Sequence, residues 1–137
     1  MLSTVERVLF LKSIDLFSQL PGENLAQIAL ISTEETREPE DQIFLEGEFG
    51  DALYLVLEGK VRVHHQERVI TELTERQYFG EMAILDASPR LASVTALTEV
   101  HLLRVPREEF QEILSEKSEI ALGIIKVLSR RLRDASR

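Results

Sequence analysis

The sequence predicts a mainly β fold with flanking helices, its strands antiparallel and either closed or sandwiched. Three observations carry that prediction. Between residues 43 and 105 the chain runs in short apolar or alternating segments separated by glycine and polar turns, the mark of regularly spaced strands. On either side of this region the apolar residues recur at helical spacing instead. A chain of 137 residues, 44% hydrophobic and 29% charged, is the size and composition of one globular domain with a buried core, residues 1–137.

Residues 1–42 form an N-terminal helical segment. Val5, Val8, Leu9 and the stretch 16–20 are interrupted by Pro21-Gly22 before a second periodic stretch with Leu25, Ile28, Ala29 and Ile31. The polar residues 33–42, with Pro39 among them, read as a connection. Residues 43–105 hold the strands, at 43–45, 52–57, 61–65, 69–73, 93–96 and 100–105. In the second of these Leu53, Leu55 and Leu57 alternate with Tyr54 and Val56, so both of its faces should be covered. Residues 106–137 form two C-terminal helices. Pro106 ends the last strand and suits a first helical turn, Glu108 and Glu109 lie near the positive end of that helix, and Phe110, Ile113 and Leu114 give it an apolar face. The longer helix begins near Ser118, a suitable N-cap. It carries two apolar stripes, one of Ile120, Ile124 and Val127 and one of Ala121, Ile125, Leu128, Leu132 and Ala135.

Composition excludes several functions. The formal net charge of −8 opposes nonspecific binding to nucleic acid. Arg130, Arg131, Arg133 and Arg137 are the locally basic stretch, and they suit the negative end of the last helix. The chain has no cysteine, so it has neither disulfides nor thiolate chemistry. The apolar run 8–11 ends at Lys12 without the features of a signal peptide, and no segment approaches the length of a membrane span, so a soluble, cytoplasmic chain is expected. Neither a G-x-S-x-G elbow nor a P-loop is present, and catalysis is not expected. Of the three histidines, His64 and His65 are adjacent on one strand and should face opposite ways, so no metal site is expected and solvated positions are.

The most informative stretch is 79–94, FGEMAILDASPRLASV. Gly80 and Glu81 open a short apolar helical turn, Ser88-Pro89 reverses the chain, and Arg90 follows before an apolar strand. A helix start leaves backbone N–H groups unpaired, and Gly80 has no Cβ to keep an anion away from them. Arg90 presents a planar fork of donors that can clamp a phosphate edge. Glu81 would repel phosphate but accepts well from a sugar hydroxyl. Taken singly, each feature is also an ordinary turn or cap; their fixed spacing is what points to a nucleotide whose phosphate and hydroxyl lie close together.

On these residues the segment resembles the phosphate-binding cassette of the cyclic nucleotide-binding domain family, that of the cAMP receptor proteins and protein kinase A regulatory subunits. Phe79, Gly80, Glu81, Ala83, Pro89, Arg90, Ala92, Ser93 and Val94 fall in register with its pattern, and Gly47, Gly50, Asp51, Tyr54 and Gly59 match a second signature upstream. The resemblance implies an antiparallel jelly-roll β-roll and a binding site built from Phe79, Gly80, Glu81, Met82, Ala83, Pro89, Arg90, Leu91, Ala92 and Ser93. By resemblance, Glu81 accepts from the ribose 2′-hydroxyl, Arg90 binds the exocyclic phosphate oxygens, and N–H groups near Ala83, Leu91 and Ala92 complete the cradle. Leu91 stands where cGMP-preferring members often carry threonine, which makes cAMP the expected ligand and cGMP the alternative.

Counting along the family's last helix brings Ser136 near the base, as a candidate cap. That helix is also expected to relay binding to an effector or partner that the sequence does not identify. Its second stripe would pair two subunits into a homodimer, or both stripes would form one wide face on a single core. The other functional reading is a protein-interaction module on the same fold that has lost ligand control. No direct contact with nucleic acid and no direct insertion into a membrane are expected.

Overall fold

The computed structural model describes residues 1–86 and 88–136; Ala87 of the cassette and Arg137 of the terminal arginine cluster lie outside them. Two compact units form, a β unit of residues 32–108 and a helical unit of residues 1–31 and 109–137.

The β unit is made by strands that bury alternate side chains against each other. Its elements are β1 (Thr33–Arg37), β2 (Gln42–Phe44), β3 (Ala52–Glu58), β4 (Val61–His65), β5 (Arg68–Leu73), β6 (Tyr78–Phe79), the single helical turn α3 (Met82–Leu85), β7 (Ser93–Ala96) and β8 (Val100–Pro106). They assemble into two antiparallel four-stranded sheets, in the orders β1-β8-β3-β6 and β2-β7-β4-β5. Only β4 and β5 pair as chain neighbours among the described residues, which is the long-range wiring of a jelly roll. Both sheets supply one core, with Ala52, Tyr54, Val56, Phe79 and Leu102 from the first and Ile43, Val61, Val94 and Ala96 from the second. Leu53 and Leu55, on the opposite face of β3, are also fully buried, so this strand is covered on both faces as its sequence requires.

In the helical unit α1 (Thr4–Lys12) is followed by a 3-10 turn (Asp15–Phe17) and by α2 (Gly22–Ile31), which starts at the Pro21-Gly22 break. Ser3 and Glu6 close a reciprocal capping box at the start of α1. The C-terminal helices are α4 (Arg107–Glu116), whose first two residues belong to the β unit, and α5 (Ser118–Ala135). Phe110 of α4 meets Phe17 with ring centroids 6.4 Å apart, and Gly123 of α5 lets Leu20 approach closely. The two stripes of α5 separate as read: Ile120, Ile124 and Val127 are buried, while Ile125 and Leu132 are exposed. Arg131 of the basic cluster does more than face the helix end, since both its Nε and its Nη2 donate to Asp15, at 2.9 and 2.6 Å. No helix among the described residues is long and apolar enough to cross a membrane.

Four expectations need correction. The polar stretch 33–42 contains strand β1, paired with β8 in register Glu35↔Leu102. Ser118 is the first residue of α5, and Lys117 holds the cap position without a side-chain hydrogen bond. Pro106 ends β8 as expected but is not in the first turn of α4, which begins one residue later at Arg107. His64 is not solvated; it is buried, with its Nε2 in a hydrogen bond of 2.8 Å to the Thr95 hydroxyl and its Nδ1 against the Gln66 carbonyl. Its neighbour His65 does face outward, with Nδ1 2.7 Å from the Glu46 carboxylate.

Candidate functional site

The cassette begins where β6 leaves its sheet. Gly80 takes φ +79, a conformation that costs an L side chain strain, and its carbonyl accepts from the Ala83 N–H at 3.1 Å to start α3. Glycine is required there for a second reason. A Cβ on Gly80 would stand 2.6 Å from Nη1 of Arg90, so the backbone makes room for the guanidinium. Gly50, in the β2–β3 loop, does the same from another side: its Cβ would meet Ala83 Cβ at 2.7 Å and Arg90 Cζ at 3.0 Å.

That loop also fixes the backbone of Arg90. The Arg90 N–H donates to the Glu48 carbonyl at 2.7 Å, the Arg90 carbonyl accepts from the Gly47 N–H at 2.9 Å, and Phe49 bridges to Pro89. The residue is 7% exposed. Nη2 donates to the Ala52 carbonyl at 3.0 Å, Nη1 reaches the Gly80 carbonyl at 3.4 Å, and Nε has no partner among the described residues. Asp51 is a distant counterion, 3.8 Å from Nη2, and it is held more closely by Arg104 at 3.0 Å. Burial therefore pulls the Arg90 pKa below that of a free arginine, while Tyr54 and Asp51 oppose the shift. Burial likewise pushes the Tyr54 hydroxyl up, assisted by Glu35.

Phe79, Gly80, Glu81, Met82, Ala83, Pro89, Arg90, Leu91 and Ala92 all line one cavity of about 260 Å³ in the β unit. Glu81 and Arg90, expected from the sequence to accept from a hydroxyl and to clamp a phosphate, thus line the same space. Glu81 makes no capping bond to the turn it precedes. Met82 and Leu91 are exposed at its rim. α3 is one turn long, so its dipole is slight.

Ser93 and Ser136 are not among the lining residues. The buried Ser93 hydroxyl accepts from the Glu46 N–H at 2.9 Å and pins the β2–β3 loop to β7. Ser136 belongs to the helical unit, where its hydroxyl donates to the Leu132 carbonyl at 2.9 Å. The sequence reading did not include Phe44, Val63, Leu73, Tyr78, Ser88 and Val94, which complete the cavity. The cassette pattern includes Val94 without giving it a binding role, and alternation along β4 could have offered Val63 as an inward residue, but no motif marks Val63. Among the described residues no group of three His, Cys, Asp or Glu side chains is placed to hold a metal ion.

Comparison with known proteins shows the family. A family model described as "Cyclic nucleotide-binding domain" matches residues 20–117. The chain is 39% identical over 98 residues to a cyclic AMP receptor protein of Thermus thermophilus, a match covering 68% of this chain and 45% of the relative. It is 35% identical over 96 residues to a CRP-like cAMP-activated global transcriptional regulator of Mycobacterium tuberculosis, covering 66% of this chain and 43% of the relative. The chain spans less than half the length of either relative. The solved N-terminal domain of a transcriptional regulator from Streptomyces coelicolor superimposes with a TM-score of 0.82 at 34% identity, covering 92% of this chain and 94% of that one.

Proposed function

The chain belongs to the cyclic nucleotide-binding domain family, a non-catalytic sensor module, and from that premise we propose that it binds cAMP in the Glu81–Arg90 cavity and relays occupancy through α5 to an effector or partner. The observation that carries the reading is the shared cavity: one carboxylate and one buried guanidinium line the same space. Arg90 takes the exocyclic phosphate oxygens with the donors that its carbonyl partners leave open. Glu81 accepts from the ribose hydroxyl, and the apolar side chains of Val63, Leu73 and Leu91 receive the base. Leucine at position 91 offers no hydroxyl to a guanine amino group, and two of the most similar relatives are named for cAMP. Both points favour cAMP over cGMP. The exposed apolar residues Ile125 and Leu132 on α5 are the surface through which two copies would pair.

Titration calorimetry with cAMP, cGMP and 5′-AMP tests the ligand. cAMP should bind most tightly, and Arg90→Ala should lose on the order of 2–5 kcal/mol of binding free energy while staying folded, because a buried charge-assisted pair is removed. If Arg90→Ala binds cAMP as the parent does, the site assignment fails. If the parent binds no cyclic nucleotide, an interaction module is the surviving reading.

A further inference from the structure

The guanidinium of Arg90 does more than sit near carbonyls: its Cζ lies 3.9 Å from the centroid of the Phe44 ring. A cation over an aromatic face is attracted to it, and most strongly where water is excluded. Arg90 is 7% exposed and its Nε has no hydrogen-bond partner among the described residues, so the ring face lies against a cation that water and acceptors compensate only in part.

The position of that ring is built into the sheet. Gln42 pairs with Thr95 and Phe44 with Val94, so β2 advances two residues while β7 advances one. Adjacent strand residues normally face opposite ways, yet the irregularity lets both Ile43 and Phe44 pack on the same core. The ring is then held by two others, with centroids 5.7 Å away at Phe79 and 6.2 Å away at Tyr54. Those two are themselves stacked at 5.3 Å, so the support is rigid. A second cavity, of about 240 Å³, lies beside the first. Phe44 and Arg90 are the two residues that line both cavities, so the stacked pair forms the partition between them.

We propose that Phe44 is a positioning residue for the ligand phosphate: its ring face holds the Arg90 guanidinium at the cavity wall, and cyclic nucleotide affinity depends on an aromatic ring at position 44. The proposal rests on the reading of this cavity as a cyclic nucleotide site. A leucine at 44 would keep an apolar side chain on the core, at some cost in volume, but leave the guanidinium held by one good carbonyl bond and one long one, free to swing toward Asp51.

The test uses the full chain, calorimetry with cAMP, and NMR of the Arg90 side-chain Nε–H. Phe44→Leu should bind cAMP on the order of tenfold more weakly, while Phe44→Tyr, which keeps the ring face, should stay within about twofold of the parent. Val100→Ala hollows the same core away from the site and should lower the melting temperature without moving the affinity. Phe44→Leu binding as the parent does, or Val100→Ala weakening binding as much as Phe44→Leu, overturns the proposal. The NMR arm needs no ligand. The ring current of Phe44 should shift the Arg90 Hε resonance upfield in the parent and in Phe44→Tyr, and the shift should vanish in Phe44→Leu. If the parent binds no cyclic nucleotide, the reading of the cavity fails and this arm alone decides whether Phe44 positions Arg90. An unshifted Hε in the parent overturns the proposal whatever the variants do.

Discussion

Arg90 stands in its site at a cost to the fold. Burial lowers its pKa, and for a cation a folded-state value below the unfolded one means that folding disfavours the proton. Protonation of Arg90 therefore subtracts from stability at every pH below that folded value, and the deficit fades only in strongly alkaline solution. A buried, incompletely paired charge carries a desolvation cost that an apolar side chain of similar volume does not. Arg90→Met should accordingly melt at or above the parent's temperature while losing ligand. Scanning calorimetry decides it. A fall of about 4 °C or more, on the order of 1 kcal/mol for a domain of this size, would mean that the Ala52 and Gly80 carbonyls depend on the guanidinium. At this scale the sequence was legible where chemistry fixes the residue type. A glycine, a carboxylate and a lone arginine at the cassette's spacing say what each can touch, and the structure brings Gly80, Glu81 and Arg90 to one cavity. Phe44 was not legible, because its contribution depends on a strand irregularity that no local pattern encodes. Ser93, to which the cassette pattern gives no definite role, accepts from the Glu46 N–H and is not among the residues that line the cavity.

Among the elements, strands escaped the sequence reading where polar side chains point inward. β1 reads TEETR and has no apolar alternation, since the largely buried side chain on it is Glu34, which meets His101 at 2.9 Å across the β1–β8 pairing. His64 was missed for the same reason: a hydroxyl and a carbonyl satisfy it inside the sheet, and hydropathy alone cannot anticipate that. β6 is two residues long, too short for any period to show. Helices were easier, because their periodicity runs over several turns and Pro21-Gly22 punctuates it. The start of α1 is written in the sequence as Ser-x-x-Glu, and both halves of that capping box form, at 3.1 Å from the Glu6 N–H to Ser3 Oγ and 2.9 Å from the Ser3 N–H to Glu6 Oε1. Ser3→Ala should then destabilise the chain by about 1 kcal/mol, with a matching fall in melting temperature and faster amide exchange in the first turn of α1. Ser3→Asp, which keeps the acceptor, should restore both. Unchanged exchange in the alanine variant would show that the tertiary contacts of α1, and not its cap, set the stability of that end.

For the whole molecule the question is whether two compact units respond as one. The cavity and every described residue that lines it lie in the β unit, whereas the proposed output helix α5 lies in the helical unit. The chain passes from one to the other through α4, whose first two residues are counted with the strands and the rest with the helices. Arg107 at the head of α4 donates its N–H to the Asp51 carbonyl at 2.8 Å, and the Asp51 carboxylate is 3.8 Å from Arg90. A ligand shifts an equilibrium only by its difference in affinity for the two states, so occupancy of the cavity reaches α5 only if the bound β unit favours one state of the helices. Hydrogen exchange measured with and without saturating cAMP separates the cases. Binding to the native state slows global exchange everywhere by mass action, so the informative signal is exchange through local opening. With a relay, the amides of α5 should change protection along with those of 79–94, and Arg90→Ala should abolish both changes together. A response confined to the cassette, with α5 exchanging at the same rate in both conditions, would leave a domain that binds its ligand and passes nothing on through this helix.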